Sequence, residues 1–290
     1  SPTVNLTREY TLALRANSYG EIRRIISQNA ESVHVDVCDE EPQLLSQVLQ
    51  PGQEAVREAL SLLKRKSLAR LAGNYFECSE NASKLCLLLY QSVQKVLLLY
   101  DAIHTVVDDL PPESEWGSYS LPLSKCKLAL DLFLPFDTVD NPFPSPDSRE
   151  FGEIQMRFSQ LRQHLDGQCR RRSKKSKLMN NGFGGLCCRA TETGGGWELE
   201  GAAKGAFVIV NYLKTIERVV ARLHGAVEND RVLIGMGVGW GLDRYSIQEV
   251  LKQVRRNKAG LVEQLVDLEE HLFLCFAAVN KARGLLLQEL

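Results

Sequence analysis

Apolar residues recur at alternating steps of four and three from about Arg244 to Gln288. The positions in this series are Ile247, Leu251, Val254, Lys258, Leu261, Leu265, Leu268, Leu272, Cys275 and Val279. Such heptad spacing forms one stripe along an α-helix, whereas the side chains of a β-strand alternate with a period of two. The segment therefore predicts one helix on the order of 65 Å long with a single apolar seam.

Two interpretations of this seam follow from the spacing. Either the helix packs in an antiparallel bundle within its own chain, or it associates with another chain as a coiled coil. In the second interpretation the interaction seam consists of Leu261, Leu265, Leu268 and Leu272, and the partner is a second copy or a protein of unknown identity. Lys258 and several small residues interrupt the seam, which favours the first interpretation.

Helix-period apolar patterns also fill most of the remaining chain, while strand signals are nearly missing. Helices are expected over about 6–27, 51–110, 122–134, 148–177 and 198–232. The predicted fold class is therefore all-α, an elongated antiparallel helical bundle with long helices. The segment from Leu85 to Val107 is apolar on most sides and is expected to be the most buried, and Gly73 and Asn74 are expected to bend or divide the helix before it.

A proline-rich segment and a glycine-rich segment interrupt this helical pattern. Four prolines in residues 135–147 forbid a regular helix, so this segment is predicted to link an N-terminal half, 1–134, to a C-terminal half, 148–290. Within the second half, residues 180–197 form a glycine-rich connector between two long helices. Such a connector favours an antiparallel pair, in which the end of one helix lies beside the start of the next.

Composition excludes several classes of protein. The chain has 290 residues, of which 44% are hydrophobic and 24% are charged, with a formal net charge of −1. This is the composition of a globular protein with a substantial core, and the balanced charge argues against a nucleic-acid-binding coat. No run of 18 apolar residues occurs, and the first residues lack the pattern of a secretory signal. We therefore expect the chain itself to be soluble and to bind no nucleic acid.

The sequence offers no constellation for catalysis, a cofactor or a metal ion. No CxxC occurs, and no two histidines lie four residues apart. The glycines at 235, 237, 239 and 241 do not match a dinucleotide fingerprint, because Trp240 stands in the place of its last glycine, and they are expected to connect two helices. Four cysteines lie among apolar residues and are expected to be buried free thiols: Cys78, Cys86, Cys126 and Cys275. The prediction is a protein that is not an enzyme.

A cluster of six cations within eight residues ends one of the predicted helices. We call it the basic cluster; its members are Arg170, Arg171, Arg172, Lys174, Lys175 and Lys177. Three interpretations are open: a solvated helix end, a nuclear-import or nucleic-acid patch, and a membrane-binding site for anionic lipids. Each cation near an anionic membrane contributes about 1 kcal/mol, which favours the lipid interpretation. Cys187 and Cys188 follow the cluster and are candidate lipidation sites.

Several long patterns resemble a plant-specific family of uncharacterised helical proteins. They are the opening Ser1 to Tyr10, the stretch LARLAGNYFECSENASKLCLLL, the basic cluster, and the segments AAKGAFVIVNYLKTIERVVARLHGAVEN and LVEQLVDLEEHLFLCFAAVNKARGLLLQEL. This family includes proposed integrin-like proteins of the plasma membrane and lies near the BYPASS-type root-to-shoot signalling proteins. The resemblance spans about Ser1 to Lys177 and Trp197 to Leu290, and it is more specific for the family than for an activity.

The resemblance implies a non-enzymatic scaffold or signalling protein of plants. Its expected location is the cytoplasmic face of the plasma membrane or an endomembrane, where it would link the membrane with the cytoskeleton or the wall. Members of the family commonly carry an apolar membrane hairpin after the basic segment. Here the glycine-rich connector, with Gly194, Gly195 and Gly196 before Trp197, stands in that place. The chain is either a natural member without the hairpin, or the three glycines are an engineered joint that replaces it.

Overall fold

The computed structural model contains helices and no strands in the residues that it describes, which are 20–26, 41–112, 115, 119–180 and 197–290, without the side chains at 41–43, 172–180, 197–198 and 289. We number the helices α1 (20–26), α2 (Glu41–Val48), α3 (Gln53–Leu62), α4 (Lys66–Asp108), α5 (Leu123–Thr138), α6 (Glu150–Asn180), α7 (Trp197–Gly239) and α8 (Arg244–Glu289). The predicted all-α class is confirmed, and the long last helix begins at the predicted residue.

The chain divides into two compact units, and each draws on separate stretches of sequence. Unit 1 comprises the described residues within 1–88, 149–215 and 271–290, and unit 2 comprises those within 89–148 and 216–270. Helices α4, α7 and α8 each contribute one part to both units. These three helices, at 43 to 46 residues each, therefore have residues in both units. The division into halves at 1–134 and 148–290 stays a prediction.

The core of unit 1 contains a stretch of α8 that is buried on every side. Eight consecutive residues, 272–279, are each at most 4% exposed. A helix that is apolar all round requires neighbours on all of its faces. Helix α4 also contributes Tyr75, whose ring meets Phe158 of α6 edge-on with centroids 5.9 Å apart. This stretch is more fully buried than Leu85 to Val107, where Leu97 and Leu98 are 43% and 70% exposed.

Unit 2 packs around aromatic residues of α4 and α5. The ring of Tyr100 in α4 meets the ring of Phe136 in α5 edge-on, with centroids 5.0 Å apart. The proline-rich segment after α5 is attached to α7, since Asn141 Nδ2 donates to the carbonyl of His224 and His224 Nδ1 donates to the carbonyl of Phe143, both at 3.0 Å. Phe143 is buried as well. The segment predicted as a linker is thus part of the packed surface of unit 2.

Three helix boundaries differ from those expected from the sequence. The break between α3 and α4 falls at 63–65, and Gly73 lies inside α4 without interrupting it. Helix α5 continues past Pro135, because burial of Phe136 on the following turn stabilises that turn despite the missing amide. Helix α7 continues to Gly239 instead of ending near residue 232, so most of the expected glycine connection is helical.

Candidate functional site

Helix α6 starts against the core of unit 1, and Leu165 is the last buried residue among its described side chains. Its predicted apolar stripe is confirmed: Phe151, Phe158, Leu161 and Leu165 are at most 6% exposed, and Ile154 is half-buried. Two contacts fix the helix laterally. Arg157 pairs with Glu77 of α4 at 2.9 Å, and the guanidinium of Arg162 lies 4.9 Å from the ring centroid of Phe207 in α7. The described side chains from 166 to 171 are not buried, so this part of the helix lies outside the core.

The basic cluster occupies the last turns of α6. Arg170 and Arg171 are exposed, and no salt bridge joins either of them to a described carboxylate. Arg172, Lys174, Lys175 and Lys177 lie on the same continuous helix, which ends at Asn180; their side chains lie outside the described ones. No Asp or Glu occurs in residues 167–191. Cations also suit this position because the C-terminal end of a helix carries partial negative charge.

The candidate lipidation sites and the three glycines lie outside the described residues. Cys187, Cys188 and Gly194 to Gly196 fall within 181–196, and their roles stay predictions. The expectation for the other cysteines is confirmed, since Cys78, Cys86, Cys126 and Cys275 are free and buried. Burial raises the pKa of the Cys78 thiol to about 12, which makes it a poor nucleophile at neutral pH.

The predicted interaction seam on α8 is packed within the chain. Leu261, Leu265, Leu268 and Leu272 are between 0% and 3% exposed. This burial agrees with the interpretation of a helix that packs within its own chain, and association with a partner through the seam stays a prediction. The lysine that interrupts the seam has a partner: Lys258 Nζ donates to both carboxylate oxygens of Asp108 at 2.6 and 2.7 Å.

Helix α4 is, among the described helices, the one long and apolar enough to cross a membrane by length and composition. Half of its most apolar 18-residue window is buried inside the protein, as expected of a core helix. Polar residues such as Gln91 and Lys95 interrupt the apolar part of α4, so it contains no unbroken run of 18 apolar residues. Helix α4 therefore gives weak support for a membrane span.

A buried arginine that the sequence analysis did not single out joins α8 to α4 and to the turn between α2 and α3. Arg283 is 1% exposed and donates to the Ser79 hydroxyl at 2.8 Å and to the carbonyls of Phe76 and Pro51 at 3.2 and 2.7 Å. Its guanidinium also lies 5.0 Å from the ring centroid of Phe76. Burial lowers the pKa of Arg283 to about 10. The cation is thus stabilised by dipoles, a ring and the charge of Glu80, and none of the described carboxylates forms a salt bridge with it.

A neighbouring amide on α8 completes the attachment of this turn. Asn280 Nδ2 donates to the carbonyl of Val48 at 2.7 Å, and Asn280 Oδ1 accepts from the amide of Gln50 at 3.0 Å. The last carbonyls of a helix have no partner within the helix. Asn280 and Arg283, one turn apart on α8, therefore supply the hydrogen bonds that the end of α2 and the following turn lack.

A buried acid in unit 2 was also missed. Asp230 of α7 is 1% exposed and accepts hydrogen bonds from the Tyr100 hydroxyl at 2.9 Å and from Asn257 Nδ2 at 2.6 Å. Burial raises the pKa of Asp230, and the two hydrogen bonds oppose this rise. Tyr100 also packs against His104, whose pKa is lowered by burial and by the charge of Lys258. The cluster connects α4, α7 and α8.

Two more residues of α8 bind the backbone of segments in unit 2. Arg255 donates to the carbonyls of Leu110 and Pro111 at 3.2 and 2.6 Å, just after α4 ends. Gln248 accepts from the amide of Leu121 at 3.1 Å and donates to the carbonyl of Tyr119 at 3.3 Å. Both side chains have a structural role, because they hydrogen-bond to backbone groups of segments that pack against α8. The described residues contain no group of three or more His, Cys, Asp or Glu side chains that could hold a metal ion.

Comparison with known proteins identifies relatives in plants. The chain is 33% identical to the UPF0496 protein At3g19250 of Arabidopsis thaliana, in an alignment that covers 99% of this chain and 90% of the relative. Shorter matches of 95 residues, which cover 33% of this chain, link it at 32% identity to the UPF0496 protein At1g20180 of the same plant and at 33% to the putative UPF0496 protein 2 of Oryza sativa subsp. indica. They cover 24% and 23% of those relatives.

No family model matches the chain, and no solved structure matches it. The alignment with the first relative is 332 positions long, which exceeds the 290 residues of this chain. That relative therefore contains residues without a counterpart here. The fold defines the chain as an all-α protein of long helices with a basic helix end. By its extended similarity, it belongs to the UPF0496 family of plant proteins.

Proposed function

We propose that this chain is a non-enzymatic scaffold or signalling protein that binds the cytoplasmic face of a plant plasma membrane or endomembrane through the basic cluster. The observation that carries the proposal is the continuation of α6 beyond Leu165, the last buried residue among its described side chains, into a run of six cations with no Asp or Glu in residues 167–191. Lipid headgroups of the cytoplasmic leaflet carry net negative charge and attract such clusters.

The scaffold or signalling role rests on the sequence resemblance, and the non-enzymatic part of the proposal is supported by how the described polar residues are used. Arg283, Asn280, Gln248 and Arg255 bind backbone groups of their own chain, so that their hydrogen-bonding capacity serves the fold. The link between membrane and cytoskeleton or wall, and the kinship with integrin-like and BYPASS-type proteins, rest on the sequence resemblance. The second candidate, a soluble interaction module that uses the seam on α8, has less support because the seam leucines are buried.

Cosedimentation with vesicles tests the membrane role. We expect binding to vesicles of phosphatidylcholine with phosphatidylserine, weakened by salt because screening shortens the reach of charges. Changing the six cations of the basic cluster to glutamine should lower this binding by more than tenfold, since each cation near an anionic surface contributes about 1 kcal/mol. Circular dichroism of the variant checks that the helices are retained.

A matched control separates the cluster from net charge. Six exposed cations outside the cluster can be changed to glutamine in the same way: Arg57, Lys64, Arg65, Lys66, Arg70 and Lys214. Both variants lose the same charge, and we expect the control to keep most of its binding to phosphatidylserine vesicles. Equal losses in the two variants, or equal binding of the natural sequence to neutral and anionic vesicles, would contradict the proposal.

Lipidation would strengthen the same contact. A fatty acyl thioester on Cys187 or Cys188, immediately after the basic cluster, would add an apolar anchor to the charge attraction. When the protein is expressed in plant cells, we expect a membrane-bound fraction that hydroxylamine, which cleaves thioesters, releases. Serine at both positions should abolish the hydroxylamine-sensitive fraction, and an unchanged fraction would refute acylation at these sites.

A further inference from the structure

The turn between α7 and α8 in unit 2 exposes a group of large apolar side chains. We call residues 232–245 the α7–α8 tip. Its exposed apolar residues are Val232 at 52%, Met236 at 49%, Trp240 at 58%, Leu242 at 47% and Tyr245 at 82%. The first three are four residues apart and so follow one face of the last turns of α7, while the other two lie on the turn and at the start of α8. Exposed apolar groups this concentrated mark a binding surface.

The opposite face of the tip is closely packed against other helices. This packing fixes the position of the tip and keeps its apolar side chains exposed. A Cβ atom on Gly237 would lie 3.3 Å from a methyl carbon of Val250 and 3.5 Å from the ring of Phe133. Gly241 has a φ of 63°, a conformation that favours glycine, and it reverses the chain between the two helices. Gly237 therefore allows α5 and α8 to pack closely against one side of α7, and Gly241 allows the turn between α7 and α8. The other side of α7 carries the exposed apolar residues.

The two aromatic rings of the tip have no partner among the described residues. Neither Trp240 nor Tyr245 makes a side-chain hydrogen bond or a ring contact with another described residue. The Asp243 carboxylate accepts hydrogen bonds from the amide of Ser246 at 2.9 Å and from the Ser246 hydroxyl. These bonds cap the start of α8, so the carboxylate already has partners within the protein. The next residue, Arg244, is an exposed cation. Another carboxylate, that of Asp137, lies beside Gly235, more than one helical turn before Trp240. The carboxylate of Glu249, one turn after Tyr245, pairs with Lys252 at 2.6 Å.

We propose that the α7–α8 tip inserts into the interfacial region of a phospholipid bilayer through Trp240, Leu242 and Tyr245. The tip carries exposed apolar side chains at the end of α7, on the turn and at the start of α8, and a deformable bilayer can accommodate all of them together. Tryptophan and tyrosine prefer the membrane interface because each has an apolar ring and a polar group that stays hydrated. Arg244 complements the lipid phosphate charge, and Asp243 is engaged within the protein.

Tryptophan fluorescence with vesicles tests this insertion. Trp116 and Trp197 are replaced by phenylalanine, which leaves Trp240 as the sole fluorophore of this kind. With vesicles of phosphatidylcholine alone, we expect the Trp240 emission to shift to shorter wavelength, and brominated acyl chains in the same lipid should quench it. A tip that stays in water would give neither change, and an absence of quenching in protein that has sedimented with the vesicles overturns the proposal.

Serine substitutions measure the contribution of the tip to binding. Changing Trp240, Leu242 and Tyr245 to serine should lower partitioning onto phosphatidylcholine vesicles about tenfold, since apolar area is no longer transferred from water. The matched control changes Leu62, Leu98 and Val266, which are 74%, 70% and 59% exposed, to serine. Partitioning that falls equally in both variants, or in neither, contradicts the proposal.

These experiments distinguish failure of the tip proposal from failure of the lipid-binding role proposed for the basic cluster. Phosphatidylcholine has no net charge, so the glutamine variant of the basic cluster should keep its partitioning onto these vesicles and its Trp240 quenching. If the electrostatic role fails, the preference for phosphatidylserine is absent while Trp240 is still quenched. If the tip proposal fails, Trp240 stays unquenched in protein bound to phosphatidylserine vesicles.

Discussion

Replacement of Arg283 by methionine is expected to lower the free energy of unfolding by about 3 kcal/mol or more. Methionine keeps most of the apolar stem of the arginine. It removes the guanidinium N–H groups that donate to the Ser79 hydroxyl and to the carbonyls of Phe76 and Pro51. A buried acceptor that loses its donor is destabilising, because the free energy of its removal from water is no longer offset by a hydrogen bond. Urea unfolding followed by circular dichroism measures the change.

Two further variants define the cause of this loss. Lysine at 283 keeps the charge but offers one nitrogen in place of a planar fork, so we expect it to recover only part of the stability. Arg222 is exposed and lies 3.7 Å from Asp267, and its change to methionine should alter the unfolding free energy by no more than about 0.5 kcal/mol. A loss at Arg283 no larger than that at Arg222 would rule out the anchoring role.

Replacement of Asp230 by leucine is expected to lower the free energy of unfolding by about 3 kcal/mol, while asparagine should be stabilising at pH 7. Leucine leaves the Tyr100 hydroxyl and the Asn257 amide without an acceptor in the core. Asparagine can accept from Asn257 Nδ2 through its oxygen and donate from its amide nitrogen to the Tyr100 oxygen, so both contacts are kept with one reversed in direction. It also removes a charge whose burial raises the pKa of Asp230. Urea unfolding of the two variants at pH 7 checks the opposite signs.

The pH dependence of stability gives the same prediction a second test. The pKa of Asp230 is raised above its ordinary value of 3.8, so the folded protein retains the proton at pH values where the unfolded chain has lost it. The stability from this proton is fully present below about pH 3.8 and declines as the pH rises through the raised value, by up to about 1.4 kcal/mol per pH unit. The asparagine variant lacks this decline.

The difference between the two proteins isolates Asp230, because both contain His104 and the other titrating groups. We therefore compare the unfolding free energy of the natural sequence and of Asp230→Asn from pH 4 to pH 8. Asp131 of α5 is exposed, and Asp131→Asn serves as the control for the loss of one acid. Parallel pH profiles for the natural sequence and Asp230→Asn would show that the buried acid is not linked to stability.

The helices could be predicted from the sequence because their signal is local. The series from Ile247 to Val279 specifies a single long helix, and the series from Phe151 to Leu165 specifies the buried stripe of α6. Boundaries that depend on packing could not be predicted. Helix α5 passes through Pro135 because Phe136 is buried on the turn beyond it, and this burial depends on contact with Tyr100 from a distant part of the chain.

The buried polar residues left a weaker signal. Arg283 stands four residues after Val279 and Asp230 stands three after Val227, both at positions where the stripe calls for an apolar side chain. A charged residue at such a position indicates a partner in the core, but the sequence does not say which one. The basic cluster is the reverse case, since the sequence defines its charge while its lipid partner is a matter of binding experiments.

The attachment of early segments by α8 has a consequence for biosynthesis. Asn280 and Arg283 bind residues 48–51, which leave the ribosome more than two hundred residues before them. Contacts between residues so far apart in sequence slow folding, because a long loop must close before they form. The turn after α2 must therefore wait for translation of α8, and a nascent chain stalled before that helix would expose the acceptors that Asn280 and Arg283 later occupy.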